Sequence, residues 1–256
     1  MAESKSAQFH TKTAEQYDKT YENKYWDIYG SVEHSKLNKY IPKKKSLILD
    51  AGGGTGKFSI EFAKKGHKVV MTEVSSGMIK VAKRNTRKYD VQVMHQDIRN
   101  MKDLKSNTFD FVVSLGDPVS YCMNEKKAVK ELARVAKKGA YVMITVDSYF
   151  RQLTRLLDNK ELAKLEKTGI TTFPFEYPQY NFKVEELRKL FENNKLKVVE
   201  IFGLLNFISK IDKKTVNKLL SNDETYKTIL KMEQKYCNEP SIIGTASHLG
   251  IVGRKK

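Results

Sequence analysis

An apolar run that ends in an acid and a cluster of glycines constrains this chain more than any other stretch: Leu47-Ile48-Leu49-Asp50-Ala51-Gly52-Gly53-Gly54-Thr55-Gly56. Residues Lys57 to Gly66 then read as a helix. A strand, a glycine loop and a helix in that order bring backbone N–H groups and a helix N-terminus to a ligand, and glycine permits the closest approach. A dinucleotide fingerprint has the spacing Gly-x-Gly-x-x-Gly. Here the pattern is Asp-x-Gly-x-Gly-x-Gly over Asp50, Gly52, Gly54 and Gly56, and Lys57 stands where the last dinucleotide glycine would fall.

Apolar strand-like segments alternate with helix-like ones along the rest of the chain, the pattern of an α/β fold with a mainly parallel sheet. Strands are expected at 46–51, 67–73, 91–96, 109–116, 139–147, 196–202 and 248–253. Helices are expected at 57–65, 76–87, 125–137 and 184–193, with Asn124 capping the third and Gly139 ending it. Three segments stand outside the alternation. Residues 9–40 precede the first strand and are rich in tyrosine and charge. Residues 149–180 and 205–245 follow strands, at the sheet edge where ligands bind in doubly wound folds. A helical lid and two pocket-shaping insertions are expected there, within a single domain spanning 1–256.

Composition narrows the class. At 256 residues and 40% hydrophobic content, the chain is large enough for a proper core. No apolar stretch approaches the ~20 residues that span a bilayer. Residues 1–12 are polar and lack an apolar signal core, so a cytoplasmic protein is expected. Cys122 and Cys237 have no metal-type spacing. The net charge of +17 raises the question of a nucleic-acid partner. Its excess is nearly all lysine on predicted helix faces, whereas arginine is the residue favoured for bidentate phosphate and base contacts.

Further features follow the glycine loop in order. The second strand, Val69-Val70-Met71-Thr72-Glu73, ends in an acid, and the third runs into Gln96-Asp97-Ile98. The fourth, Phe109 to Gly116, leads into Asp117-Pro118-Val119-Ser120-Tyr121, and the last is His248-Leu249-Gly250-Ile251-Val252-Gly253. This set resembles the class I methyltransferases that use S-adenosylmethionine. Within that class the N-terminal Ala14-Glu15-Gln16-Tyr17-Asp18 and Tyr25-Trp26 look like the lid of small-molecule enzymes, relatives of ubiquinone/menaquinone C-methyltransferase and glycine N-methyltransferase.

The resemblance implies a Rossmann-like, doubly wound, mainly parallel seven-stranded sheet with helical lid insertions. It implies S-adenosyl-L-methionine as cofactor and S-adenosyl-L-homocysteine as product. The expected cofactor contacts are Tyr17, Asp50, Gly52, Gly54, Gly56, Glu73, Asp97, Ile98 and Leu115: Glu73 on the ribose hydroxyls, Asp97 on the adenine amino group with Ile98 against its ring, Tyr17 and Leu115 at the methionine end. The sulfonium is already electrophilic, so positioning and exclusion of water carry the reaction, and a base is needed only for an acidic or protonated acceptor. Asp117 and Tyr121 lead the candidate catalytic groups, ahead of His95 and His248. No metal is expected, because the histidines are isolated in sequence and no carboxylate cluster stands out. Phe150, Phe173, Phe175, Tyr177 and Tyr180 suggest an apolar or aromatic lining.

Two other functions compete with a small-molecule acceptor. An RNA (tRNA) amino-methyltransferase carries Asp/Asn-Pro-Pro-aromatic after the fourth strand; here Asp117-Pro118-Val119-Ser120 lacks the second proline and the aromatic. A protein that binds the cofactor without turnover is the other. Replacement of Glu73 by Ala is expected to weaken S-adenosylmethionine binding by about 1–3 kcal/mol, through loss of charge-assisted hydrogen bonds. Unchanged affinity in calorimetry would remove Glu73 from the ribose.

Overall fold

The computed structural model describes residues 3–156, 161–172 and 176–256. Five strands run parallel: β1 (Leu47–Ala51), β2 (Lys68–Glu73), β3 (Val91–His95), β4 (Phe109–Ser114) and β5 (Ala136–Asp147). A small ribbon pairs β6 (Ile170–Thr171) with β7 (Gln179–Tyr180). The sheet is completed by β8 (Leu196–Leu204) and the antiparallel β9 (His248–Lys255), giving the order β3-β2-β1-β4-β5-β9-β8. The expected mainly parallel, seven-stranded, doubly wound sheet is thus the observed one. Strand order reverses between β1 and β4, and the chain leaves both strands at the same edge, where a crevice opens.

Alternate residues of β1 enter opposite halves of the core. Leu49 joins Val112, Val142 and Ile144 under the helices α7 (Glu125–Val135) and α10 (Val184–Asn193), which contribute Leu132, Leu187 and Phe191. Ile48 joins Phe111, Val113 and Met143 on the other face. That face is covered by α3 (Lys24–Tyr40), α4 (Lys57–Lys64) and α11 (Lys213–Ser221). Strands buried on both faces read as continuous apolar runs, which is why they are visible in the sequence. The cap at Asn124 is as expected, its side chain accepting from the Lys127 N–H. Gly139 does not end that helix. The helix stops at Val135 and passes straight into β5, where Gly139, at φ +81°, falls within a register shift against β4.

The N-terminal helices pack against the core. Helix α1 (Lys5–Thr13) packs on α5 (Ser76–Thr86) at Gly77, where a Cβ would stand 2.5 Å from the Thr11 carbonyl oxygen. The Glu3 carboxylate accepts from the Ser76 N–H at 2.8 Å, at the start of α5. Arg84 of α5 grips Glu15 with two hydrogen bonds, of 3.1 and 2.9 Å. Lower down, Thr55 of the glycine loop donates to Asp18 at 2.8 Å, on the short helix α2 (Tyr17–Thr20). The N-terminal segment therefore reaches the loop itself. Among the described residues, no helix is long and apolar enough to cross a membrane.

The sheet's outer part depends on a glycine. A Cβ at Gly250 of β9 would lie 2.1–2.6 Å from the ring of Phe202, its fully buried neighbour on β8. Gly250→Ala is expected to lower stability by about 1–3 kcal/mol in urea unfolding. Gly30→Ala, in the interior of α3 with nothing nearer its Cβ than the His34 ring at 3.8 Å, is the contrasting control and is expected to hold or raise stability, by up to about 1 kcal/mol. Equal midpoints for the two variants would show that the Phe202 ring gives way freely.

Candidate functional site

The glycine loop makes three left-handed turns, with φ of +75°, +57° and +88° at Gly52, Gly54 and Gly56. They do different things. A Cβ on Gly52 would strike the Pro118 ring at 2.6 Å, and one on Gly56 would strike Thr86 at 2.9 Å. A Cβ on Gly54 would meet nothing within 4 Å. Gly52 and Gly56 hold the loop against its neighbours, and Gly54 faces open space, as a loop that admits a ligand requires. Gly56 is also the N-cap of α4, with no side chain over the first-turn N–H groups.

Beneath the loop, Asp50 is buried and its Oδ2 accepts from the Ser59 hydroxyl at 2.7 Å. Burial pushes its carboxyl up to about 6, against the lowering effect of the Ser59 hydrogen bond. Glu73, at the end of β2, accepts from the Gly54 N–H at 3.0 Å and from the Val74 and Ser75 N–H groups at 2.7 and 2.9 Å. A carboxylate has about four acceptor positions, so one remains for a further donor. Asp97 is held by the Arg99 guanidinium and backbone N–H. Burial would raise this carboxyl, but the Arg99 contacts outweigh it and hold it below the ordinary range. Ile98 is buried in the α7 half of the core, and Leu115 packs in the α3 half. These residues fit an adenosine-bearing cofactor through one open glycine, a strand-end acid and an uncapped helix start.

Tyr17, Asp117 and Tyr121 lie elsewhere, around a cavity of about 1560 Å³ beyond β4 and β5. Gly116 and Asp117 both have positive φ, +76° and +67°, and both N–H groups point at the Thr145 hydroxyl, at 2.9 and 3.4 Å. For a residue with a side chain that conformation is strained, and it re-aims the carboxylate. Asp117 Oδ2 stands 2.8 Å from His248 Nδ1 without the alignment of a hydrogen bond, and Asp147 Oδ1 stands 3.7 Å from the same nitrogen. The three side chains come from the turn after β4, the end of β5 and the start of β9, and their ligand atoms lie within 4.8 Å of one another, close enough to share one cation. The expectation that no carboxylate cluster stands out is therefore corrected: strand pairing assembles one from residues far apart in sequence.

The cluster is electrostatically tense. Burial, then the Asp117 charge, pushes Asp147 up to about 7. Burial alone would lower His248, but the neighbouring carboxylates outweigh it and raise the imidazole. Burial also pushes Glu33, on the α3 wall, up to about 8. Around these groups runs a chain of rings. Tyr17 and Tyr21 have centroids 4.9 Å apart, Tyr21 and Trp26 4.9 Å, Trp26 and Tyr29 5.6 Å, and Tyr29 and His248 5.1 Å. Tyr121 and Tyr177, 5.4 Å apart, close the other side with His10. Burial raises the phenols of Tyr17, Tyr29 and Tyr121 well above their ordinary range, so they are neutral.

Several expectations fare differently here. His95, a lesser catalytic candidate, is exposed on the edge strand and bonded to the Val74 carbonyl, and does not line the cavity. Of the five aromatic residues singled out near the first insertion, Tyr177 lines the cavity. Phe150 is 41% exposed, Tyr180 pairs with Glu186 and Phe182, and Phe173 and Phe175 lie outside the described residues. Sequence reading missed Asp147, Gln152 and Arg151. The acid at the end of β5 was the available signal, equivalent in position to Glu73 on β2.

Residues 48–139 match the model of a family described as a methyltransferase domain. An uncharacterized protein of Methanocaldococcus jannaschii is 29% identical over 236 residues, covering 86% of this chain and 87% of its own. The other high-ranking curated relatives are matched over roughly half their own length or less. Among solved structures, the partner of the Trm112 methyltransferase activator of Haloferax volcanii superposes with a TM-score of 0.65 at 18% identity, covering 96% of each chain. The geranyl diphosphate C-methyltransferase of Streptomyces coelicolor, solved with Mg2+, geranyl diphosphate and S-adenosyl-L-homocysteine, gives 0.61 at 13% identity, covering 89% of this chain and 79% of that one.

A Cβ on Gly54 would enter open space but at a φ of +57°, so Gly54→Val is expected to lose cofactor binding and to lower stability modestly through backbone strain, with the fold kept. Cofactor affinity within twofold of the parent in calorimetry would mean that the loop does not approach the ligand.

Proposed function

We propose, from the premise that this chain is a class I S-adenosylmethionine-dependent methyltransferase, that its acceptor is a small molecule enclosed between the lid and the carboxyl edge of the sheet. The observation that carries this reading is the ring-lined cavity itself. Its walls come from the N-terminal lid (Tyr17, Tyr21, Trp26, Tyr29), from the connection after β5 (Arg151, Gln152, Tyr177) and from the segment after β8 (Ile208, Val216, Leu220). Three separate connections converging on one volume favour an acceptor that is surrounded, not one presented on a long polymer.

In the proposed arrangement the glycine loop and Glu73 hold the nucleoside, with Asp97 and Ile98 at the adenine. The turn at Gly116 and Asp117 meets the methionine end, with Tyr17 over it from the lid. The cofactor supplies an activated methyl group. The chain's own work is to hold the acceptor in line with that methyl group, exclude water and accept a proton where the acceptor must shed one. Asp117 and Tyr121 stand nearest to those tasks, and the neutral phenol of Tyr121 acts as a hydrogen-bond donor rather than a base. The two inserted segments then act as parts of one domain that encloses the acceptor.

The test uses S-adenosylmethionine labelled on its methyl group, incubated with the protein and a cell extract divided into metabolite, RNA and protein pools. Label is expected in the metabolite pool. Transfer to RNA would overturn the small-molecule reading and give the +17 charge a role. Binding without transfer to any pool would favour a non-catalytic binder.

A further inference from the structure

The unpaired polar atoms of the cavity say more about the acceptor than its volume does. Asp117 Oδ1, Asp147 Oδ2 and Gln152 Oε1 are buried oxygens with no hydrogen-bond partner, and all three residues line the same cavity, as do Glu33, with an unpartnered Oε1, and Arg151, with an unpartnered Nε. Asp117, Asp147 and Gln152 are only 3%, 5% and 3% exposed. A buried acceptor without a donor is destabilising, so a site that keeps three of them is shaped for a ligand that brings its own N–H groups. Two of the three are carboxylates, so the ligand group that satisfies them best is cationic.

The surrounding rings decide which kind of cation. A metal ion would draw on the two carboxylates, the His248 imidazole and water, and the tyrosine and tryptophan faces around them would contribute nothing to it. Those faces do stabilise an organic ammonium through the ring quadrupole. Trp26 and Tyr29 lie with centroids 6.3 and 5.1 Å from the His248 ring, beside the carboxylates. Tyr121 lies beside Asp147 and against Tyr177. Arg151 and Arg155 also line the cavity, so an amine that carries an anionic group meets both charges.

We propose that the methyl acceptor is a small primary or secondary amine, its protonated nitrogen held by Asp117 and Asp147 and faced by Trp26, Tyr29 and Tyr121. The inference rests on the small-molecule reading above and names its substrate class. The ammonium gives one N–H proton to the Asp147 carboxylate, which frees the nitrogen lone pair. The lone pair forms the new N–C bond as the methyl carbon leaves sulfur, and the C–S bonding electrons stay on sulfur. The positive charge passes from the sulfonium to the methylated ammonium, and Asp147 returns its proton to water when the product leaves. Gln152 accepts a remaining N–H, and His248 holds Asp117 in place.

The experiment divides the metabolite extract in two and treats one half with N-hydroxysuccinimidyl acetate, which acylates amines, before quenching and adding labelled S-adenosylmethionine. Label is expected in cation-exchange-retained metabolites of the untreated half, falling at least tenfold in the treated half. Equal labelling of both halves would overturn the amine while leaving the small-molecule reading intact. Absence of label from all metabolites would overturn the reading beneath it, and the amine with it. A second arm needs no variant: trimethylphenylammonium, which has no N–H to lose, is expected to inhibit transfer at least tenfold more strongly than neutral tert-butylbenzene. Equal inhibition by the two would overturn recognition of a cation. Loss of transfer on EDTA treatment, restored by Mg2+, would assign the carboxylates to a metal ion and overturn the proposal as well. In the variant Asp147→Asn, affinity for S-adenosylhomocysteine is expected to stay within twofold while transfer falls at least tenfold; retained transfer would overturn the role of Asp147.

Discussion

Gly52 and Pro118 touch where the strand order reverses, and much of the site hangs on that contact. The bare Cα of Gly52, in a left-handed turn, lets the loop after β1 lie directly on the Pro118 ring of the loop after β4, with no space for a Cβ. The two loops that flank the crevice are thereby set against each other. Pro118 in turn begins the short helix α6 (Pro118–Tyr121), and Asp117 before it is forced into a left-handed conformation. A carboxylate carried on a strained backbone whose N–H groups are held by Thr145 is aimed by the main chain, not by partners of its own.

From this contact the site divides into two halves with different physics. Along the glycine loop the chain offers backbone: a left-handed glycine facing open space, an uncapped helix start and Glu73, itself steadied by three N–H groups. Beyond β4 and β5 it offers side chains: acids without full partners inside a ring of neutral aromatics. The first half suits a nucleoside, which is recognised by shape and a few directed hydrogen bonds. The second suits a compact organic group that must be desolvated before it reacts. The lid joins them, with Glu3 and Glu15 fastened to α5 on one side and its tyrosines over the cavity on the other.

The local parts of this arrangement were open to sequence reading. The strands of the parallel core are apolar on both faces, and the helix from Val184 to Asn193 falls where its periodicity places it. Asn124 caps its helix because a side-chain acceptor three residues before an N–H is a purely local event. Gly139 misled for a matching reason. A glycine after a helical run is the usual C-cap, but the pairing of β5 with β4 used its left-handed backbone to absorb a register shift instead. Phe150 was misplaced because which way an aromatic faces in an insertion depends on neighbours distant in sequence.

The sequence by itself determined the α/β class, the glycine loop with its spacing, and the acids that end β2 and follow β4, because strand, loop and helix signals act over a few residues. Tertiary structure decided the rest. Asp117, Asp147 and His248 become one cluster only when β4 pairs with β5 and β5 pairs antiparallel with β9, setting Asp147 opposite His248. The aromatic wall forms only when the lid folds back over that edge. Long-range pairing leaves no periodic mark on the chain, so the chemistry it creates is seen in the fold and not in the order of residues.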